Sequence, residues 1–144
     1  SSWTQPMVKQ NECGIIGIIC QNQDGIMRYL LYAKYEPGNM HKLQLSPTLQ
    51  ATSSNMLLAH GGNNPLFTEY FQSKKGRIIV DVELVEDGGR NYLKTNRNLL
   101  VEIPENEKLD IPDDFIWVSL PQLRKLMKVD VVVNNFVRSI MGSW

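Results

Sequence analysis

The stretch "ECGIIGIICQNQDGIMRYLLYAKY", Glu12 to Tyr35, decides the fold of this chain. Two apolar runs flank the pair Asp24-Gly25, and such a pair between apolar runs is a strong local signal for a β-hairpin. We therefore predict two antiparallel strands joined by a tight turn. Pro37 then ends the second strand, because proline has no N–H to donate to a strand ladder.

The first of these runs carries both cysteines, Cys13 and Cys20. Side chains seven residues apart on a strand point to opposite faces, so the two thiols cannot pair with each other. Unpaired thiols are typical of proteins kept in a reducing compartment. We therefore expect a cytoplasmic protein with two free cysteines.

Outward from the hairpin, the pattern predicts helices interspersed with further strands. Ser46-Pro47 has the residue types of a helix start, so we predict a helix from there to about Ala59. The remaining predicted elements are a short helix over 65–72, a hairpin of "RIIVDVELVE" and "RNYLKTNRNLLVEI", a strand "FIWV", a helix capped by Ser119 and a final helix from Asp130 to about Met141. Hairpins with interspersed and terminal helices are typical of the α+β class.

Length and charge limit the possible classes of function. A chain of 144 residues is predicted to form one domain, over 1–144. Fifteen basic and fifteen acidic residues leave no net charge, so we expect no nucleic-acid partner. No stretch approaches the roughly 18 apolar residues of a spanning helix, so we expect no membrane association. The start, Ser1-Ser2-Trp3, is typical of a tag remnant or of a domain excised from a longer chain.

Several motifs of the chain occur, in the same order, in one known family. They are "WTQPM" at 3–7, "AKYEPGN" at 33–39, "QLSPTLQATSSN" at 44–55, "HGG" at 60–62, "EYF" at 69–71, "KTNRN" at 94–98 and "VNNFVRS" at 133–139. These motifs resemble the NDP-hexose 2,3-dehydratases of deoxysugar and natural-product biosynthesis. The resemblance implies a Nudix-like fold, in which a mixed β-sheet is flanked by helices.

The resemblance also implies a lyase that needs no cofactor and acts on a nucleotide-linked 4-keto-6-deoxyhexose. A base would remove the proton at C3, which the C4 ketone acidifies, and the C2 hydroxyl would leave. The enol formed would tautomerise to a 3,4-diketo sugar. Known members are much longer and contain two tandem Nudix-like copies, whereas this chain supplies one. We therefore expect either a homodimer in place of the tandem pair or a single repeat of a larger enzyme.

A metal site is not expected in this chain. Nudix pyrophosphatases bind divalent cations through several glutamates on one helix, because hard cations prefer oxygen ligands. Between Glu36 and Glu69 this chain has no Asp or Glu. In the predicted helix, Thr48, Thr52 and Asn55 would instead share one face and offer neutral groups to a sugar or a base. The alternative is an amphipathic helix whose polar face meets water.

Four residues are candidates for the proton chemistry. His60 has an unperturbed pKa of about 6.5, which suits a base, although a histidine at a helix C-terminus can also be a cap. Lys34 and Glu36 share a strand face, where Lys34 could stabilise an enolate oxygen and Glu36 could act as a base or orient Lys34. The alternative for these two is a surface ion pair. Tyr70 could protonate the departing hydroxyl, or it could lie in the core.

Further residues are predicted to bind the substrate. Gln44 belongs to the motif shared with the family, and Arg97 has the planar fork suited to a diphosphate. Lys94, Asn96 and Asn98 alternate onto one strand face and Arg97 onto the other. The sequence does not specify which of these two faces meets the pocket.

Four positions depart from the family pattern toward apolar or aromatic residues. Tyr32 stands where Gln is common, Leu84-Val85 where Gln-Ser is common, and Phe136 where Asp is common. Tyr32 shares a strand face with Lys34, so it is also a candidate for substrate contact. If these positions line the pocket, the ligand is less polar than a nucleotide sugar. Two alternatives therefore stand beside the sugar lyase: a dehydratase or isomerase domain of a polyketide-type assembly line acting on a carrier-bound acyl chain, and a non-catalytic nucleotide-sugar-binding or structural repeat.

Overall fold

The computed structural model describes residues 12–35, 43–52, 66–72, 75–86, 94–129 and 131–143. The strands in these ranges are β1 (Glu12–Gln23), β2 (Ile26–Tyr35), β3 (Leu43–Ser46), β4 (Leu49–Ala51), β5 (Arg77–Glu86), β6 (Lys94–Glu102), β7 (Phe115–Ser119) and β8 (Val131–Val133). The helices are α1 (Thr68–Gln72), α2 (Leu120–Leu126) and α3 (Asn135–Ser143).

The predicted first hairpin is confirmed. β1 and β2 pair antiparallel over the residues next to the turn. Asp24 and Gly25 both have positive φ, 55° and 83°, which is the backbone of the two-residue turn that matches the twist of a hairpin. The Asn22 side chain accepts a hydrogen bond from the Gly25 N–H at 2.9 Å and holds the turn.

β1 and β2 separate beyond Ile19 and Leu30, and the next two strands fill the gap. Farther from the turn, the edge of β1 that faced β2 pairs with β4, and the edge of β2 that faced β1 pairs with β3. Thr48 lies between β3 and β4 at this fork, with 5% of its surface exposed. Its hydroxyl accepts a hydrogen bond from the Ile19 N–H at 2.9 Å and donates one to the Leu30 carbonyl. One side chain thus replaces the backbone pairing where the strands part.

The helix predicted from Ser46-Pro47 is therefore wrong at its start. Residues 43–46 and 49–51 are strands, and residues 53–59 lie outside the described ranges. The helix-start signal is local, whereas the strands form because the diverging edges of β1 and β2 carry backbone groups that need hydrogen-bond partners.

The fork divides the mixed sheet into two leaves. One leaf has the order β5-β6-β1-β4 and the other β7-β2-β3-β8, and the β1–β2 pairing joins them. Each face of the sheet carries a core. On the face that we call the α1 face, Ile19 and Leu99 pack with residues of α1. On the opposite face, the α3 face, Ile18 and Leu100 pack with Val137 of α3. The predicted α+β class, a mixed sheet flanked by helices, is confirmed.

Three other predicted elements are confirmed. α1 lies within the predicted helix 65–72, and β5 and β6 form the second antiparallel hairpin, whose turn lies outside the described residues. Ser119 ends β7 and caps α2. Its hydroxyl accepts from the Gln122 N–H, and the Gln122 side chain accepts from the Ser119 N–H at 2.9 Å.

The final helix begins later than the predicted residue 130. Val131–Val133 form β8, which pairs parallel with β3, and α3 begins at Asn135. Three consecutive β-branched residues fit a pleated strand better than a helix, and β3 offers them a free edge. The Asn134 side chain caps α3 by accepting a hydrogen bond from the Phe136 N–H at 2.8 Å.

The two cysteines are both free, as predicted. Cys20 packs in the core of the α3 face, where burial raises the pKa of its thiol to about 12. Cys13 is half-buried on the same strand. In the described part of the chain, no helix has the length and apolar character needed to span a membrane.

Candidate functional site

A cleft of about 550 Å³ opens on the α3 face, between the leaf β5-β6-β1-β4 and helix α3. The strand register places four floor side chains side by side: Gln50, Ile16, Asn98 and Val82. The wall comes from α3 and the residue before it: Asn134, Asn135, Phe136, Ser139 and Ile140. Its size falls within the range of small-molecule binding sites.

A glycine makes room for a second amide in this floor. Gly14 lies opposite Asn96 across β1 and β6. A Cβ at Gly14 would lie 2.8 Å from the Asn96 Oδ1 and 3.0 Å from the Ala51 carbonyl oxygen. Any larger residue at position 14 would therefore displace the Asn96 side chain from its place over β1.

Asn98 is the buried polar group of the floor. It keeps 6% of its surface exposed, and its Oδ1 has no hydrogen-bond partner among the described residues. Leaving such a buried acceptor unpaired costs about 1–3 kcal/mol. The Oδ1 itself has almost no accessible surface, so this acceptor lies beneath the surface of the cleft and not on it.

The chemistry of the cleft is neutral. Its lining combines aliphatic side chains with amides and a hydroxyl, and none of the described lining residues is ionisable. Such a surface suits an uncharged ligand, since neutral groups bind hydroxyls or a base without a desolvated charge. Across the described residues as a whole, no group of three or more His, Cys, Asp or Glu side chains could hold a metal ion.

Three of the four positions that depart from the family pattern meet in this cleft. Leu84, Val85 and Phe136 all line it. Tyr32 does not: it lies half-buried on the α1 face, with its ring centroid 5.2 Å from that of Phe115. Tyr32 therefore does not share this cleft with Leu84, Val85 and Phe136.

Lys34 and Gln44 are brought together on the other face of the sheet. They lie directly opposite each other in the β2–β3 pair, on the α1 face with Tyr32. Lys34 is exposed and Gln44 is half-buried. β2 ends one residue after Lys34, immediately before the predicted catalytic Glu36, which lies outside the described residues together with His60.

Tyr70 lies in the core of the α1 face with 8% of its surface exposed. Its phenol donates a hydrogen bond to the Glu107 Oε2 at 3.1 Å. Burial raises the pKa of Tyr70, and the hydrogen bond to Glu107 raises it further. The phenol is therefore protonated at neutral pH, as a proton donor requires, but it is already engaged.

Arg97 points away from the cleft. It shares a strand face with Leu99, on the α1 face, whereas Asn98 faces the cleft. Its guanidinium binds both carboxylate oxygens of Asp81, at 2.8 and 2.7 Å. These bonds hold the pKa of Asp81 below its usual value. A diphosphate at Arg97 would have to compete with Asp81.

The predicted polar row of Thr48, Thr52 and Asn55 is not formed as a helix face. The Thr48 hydroxyl is buried in the fork between the leaves, and Thr52 is exposed just after β4. Asn55 lies outside the described residues. Thr48 thus has a structural role, because its hydroxyl completes the pairing of two strands.

Most of the cleft was missed by reasoning from the sequence. Gln50 and Ile16 join Asn98 only through the strand register, which no short motif reveals. The pair Asn134-Asn135 before an apolar helix is a local signal that could have pointed to the cleft wall, since Asn favours helix starts.

The sequence model of the family described as NDP-hexose 2,3-dehydratase matches residues 1–143. A dTDP-4-dehydro-6-deoxy-alpha-D-glucopyranose 2,3-dehydratase from Saccharopolyspora spinosa is 43% identical over 142 residues, which are 98% of this chain and 29% of that protein. A protein of the same name from Amycolatopsis orientalis is 44% identical over 97% of this chain and 30% of its own length. One from Streptomyces violaceoruber is 36% identical over 98% of this chain and 32% of its own length. The chain therefore spans about a third of these relatives.

Among solved structures, a Nudix hydrolase from M. smegmatis, RenU, matches with a TM-score of 0.53 at 11% identity. The match covers 94% of this chain and 88% of that one. At this identity the likeness concerns the fold alone, and it confirms the expected Nudix-like architecture.

Proposed function

Because this chain belongs to the NDP-hexose 2,3-dehydratase family, we propose that it acts on a nucleotide-linked 4-keto-6-deoxyhexose and eliminates water across C2 and C3. The observation that carries the proposal is the sequence identity, 43% and 44% along nearly the whole chain, to two proteins named dTDP-4-dehydro-6-deoxy-alpha-D-glucopyranose 2,3-dehydratase. The neutral cleft supports it, since it suits the uncharged parts of such a substrate.

We assign the proton chemistry to residues near the end of β2 and to His60. His60 would take the C3 proton, Lys34 would stabilise the enolate oxygen at C4, and Glu36 would orient Lys34. The C2 hydroxyl would then leave as water with a proton from a donor, for which Tyr70 stays the prediction. Gln44, opposite Lys34, supports a polar site at this end of the strand.

Proton exchange at C3 tests this proposal. The protein is incubated in deuterated water with dTDP-4-keto-6-deoxyglucose, and the label at C3 is followed by NMR. The wild type should exchange and His60→Ala should not. His41→Ala, which removes the other histidine, is the matched control and should exchange like the wild type. Exchange should also persist in excess EDTA, because the proposed chemistry uses no metal.

Each outcome bears on a separate part of the proposal. Absence of exchange with folded wild-type protein would overturn the lyase function. Exchange that survives His60→Ala would overturn the choice of base. Exchange that disappears in EDTA would overturn metal independence.

A second candidate function is a nucleotide-sugar-binding unit without turnover. The observation that favours it is the cleft itself, whose described lining residues include no group able to move a proton at neutral pH. This candidate predicts tight dTDP binding with no C3 exchange, and no loss of binding in His60→Ala.

The remaining parts of the proposal concern assembly and location. We propose a homodimer, supported by the exposed apolar side chains of edge strand β5. We also propose a cytoplasmic location, supported by the two free thiols.

A further inference from the structure

A groove of about 450 Å³ lies beside β7, the end strand of the leaf β7-β2-β3-β8. It is lined by residues 116–118 of β7 and by Gln122, Lys125, Leu126 and Val129. Successive side chains of a strand point to opposite faces of the sheet, so a groove lined by three consecutive residues follows the edge of that strand. The proposed chemistry uses none of these residues.

The backbone of Trp117 is unpaired at this edge. Among the described strands β7 pairs with β2 alone. Next to that pairing, the Ala33 N–H donates a hydrogen bond to the Asp114 carbonyl at 2.7 Å. Bonded and non-bonded pairs alternate along an antiparallel ladder, so the next residues of β7 that bond to β2 are Ile116 and Val118. Trp117 lies between them and turns its N–H and its carbonyl to the outer edge.

The wall opposite this edge is one face of α2. Gln122, Lys125 and Leu126 are three and four residues apart, which places them on the same side of the helix. Val129 follows the helix with 62% of its surface exposed. An unpaired strand edge beside exposed apolar side chains is typical of a surface that associates with another chain.

The charge beside the groove is positive. Arg124, Lys125 and Lys128 are all exposed, and residues 115–129 include no Asp or Glu. Across the described part of the chain, none of these three cations forms an ion pair. Cations without partners at the rim of an apolar groove favour a partner that carries carboxylates.

We propose that this groove binds an extended segment of another protein, apolar at its centre and flanked by acidic residues, which adds to the edge of β7 as a further strand. The Trp117 N–H and carbonyl supply the hydrogen bonds to the backbone of the added strand. Leu126 and Val129 pack against its apolar side chains, and Lys125 pairs with a flanking carboxylate. A short apolar centre suits the groove, because β7 is only five residues long.

Fluorescence anisotropy with labelled model peptides tests the inference. The probe has three valines between two pairs of glutamates. The first comparison peptide has lysine in place of each glutamate, and the second is the probe with all three valines N-methylated. The wild type should bind the probe at least about tenfold more tightly than either, because lysines repel Lys125 and the methyl groups remove donors of the ladder.

Two results with the wild-type protein would overturn the inference. One is absence of binding to the probe. The other is equal affinity for the probe and its N-methylated form, because charge and apolar contact alone would then explain the binding and no strand would be added.

A charge reversal in the groove tests the role of α2. Lys125→Glu should weaken binding of the probe at least about threefold, since an attraction becomes a repulsion. Lys108→Glu makes the same change at an exposed loop position outside the groove and should bind like the wild type. Equal weakening by both variants would show a general attraction to acidic peptides and overturn the inference. If Lys125→Glu does not fold, the comparison of peptides on the wild type decides alone.

A second copy of this chain is the other possible occupant of the groove. Dissociation of a wild-type dimer by Lys125→Glu in sedimentation equilibrium would place that copy here and overturn the inference. C3 exchange should be unchanged in Lys125→Glu, because no residue of the groove takes part in the proposed proton chemistry. Loss of peptide binding with intact C3 exchange would thus separate this surface from the lyase function.

Discussion

A single hydroxyl, that of Thr48, joins the two leaves of the sheet where β1 and β2 part. Thr48→Val keeps the shape of the side chain but leaves the Ile19 N–H and the Leu30 carbonyl unpaired in the core. We expect the free energy of unfolding to fall by about 1–3 kcal/mol, measured by urea denaturation. Thr48→Ser keeps the hydroxyl and should lose less. Equal losses in the two variants would show that the hydroxyl is not what holds the fork.

The two cysteines should differ sharply in reactivity. Burial raises the pKa of Cys20 to about 12, so at about pH 8 it is a thiol and not the reactive thiolate. Cys13 is only half-buried. With iodoacetamide, we expect mass spectrometry to find alkylation at Cys13 in the native protein and at Cys20 only after unfolding. Equal labelling rates in the native state would mean that β1 is not packed as described.

At the scale of elements, the docking of α1 depends on a glycine in the strand beneath it. A Cβ at Gly17 would lie 2.4 Å from the Cε1 of Phe71, so Gly17→Ala must move this ring of α1. We expect a loss of about 1–3 kcal/mol in the free energy of unfolding, measured by urea denaturation.

The control for this prediction is the same substitution in the Phe71→Leu background. Phe71→Leu removes the ring atoms that the new methyl group meets. Gly17→Ala should then cost less than it does beside the phenyl ring. An equal cost in both backgrounds would point to the backbone of β1 as the cause.

At the scale of the whole molecule, β5 is the end strand of the described sheet and is rich in exposed apolar side chains. Ile78 and Val85 are 54% and 70% exposed. An apolar edge strand of this kind is a site for association with another chain. We expect sedimentation equilibrium to show a dimer that Ile78→Lys dissociates.

Ile26→Lys is the matched control, since Ile26 is also exposed but lies beside the turn of the first hairpin. It should leave the dimer intact. A monomeric wild type would contradict the homodimer, and dissociation by both variants would show a general effect of added charge.

Local signals were enough for the elements whose partners lie within a few residues. The turn at Asp24-Gly25 and the cap at Ser119 depend on backbone conformations that these residue types favour on their own. The family motifs are also short runs of residues, so the sequence was enough to identify the family and to predict the Nudix-like fold.

Long-range pairing settled the rest. The helix predicted from Ser46-Pro47 is replaced at its start by strands, because β1 and β2 diverge and their edges need partners. The helix predicted from residue 130 begins later, because β8 forms beside β3. Asn98 was a candidate from the sequence, but only its register with Ile16 and Val82 shows that it faces the cleft and Arg97 does not. Which strands become neighbours depends on the packing of the whole chain, and no local run of residues contains that information.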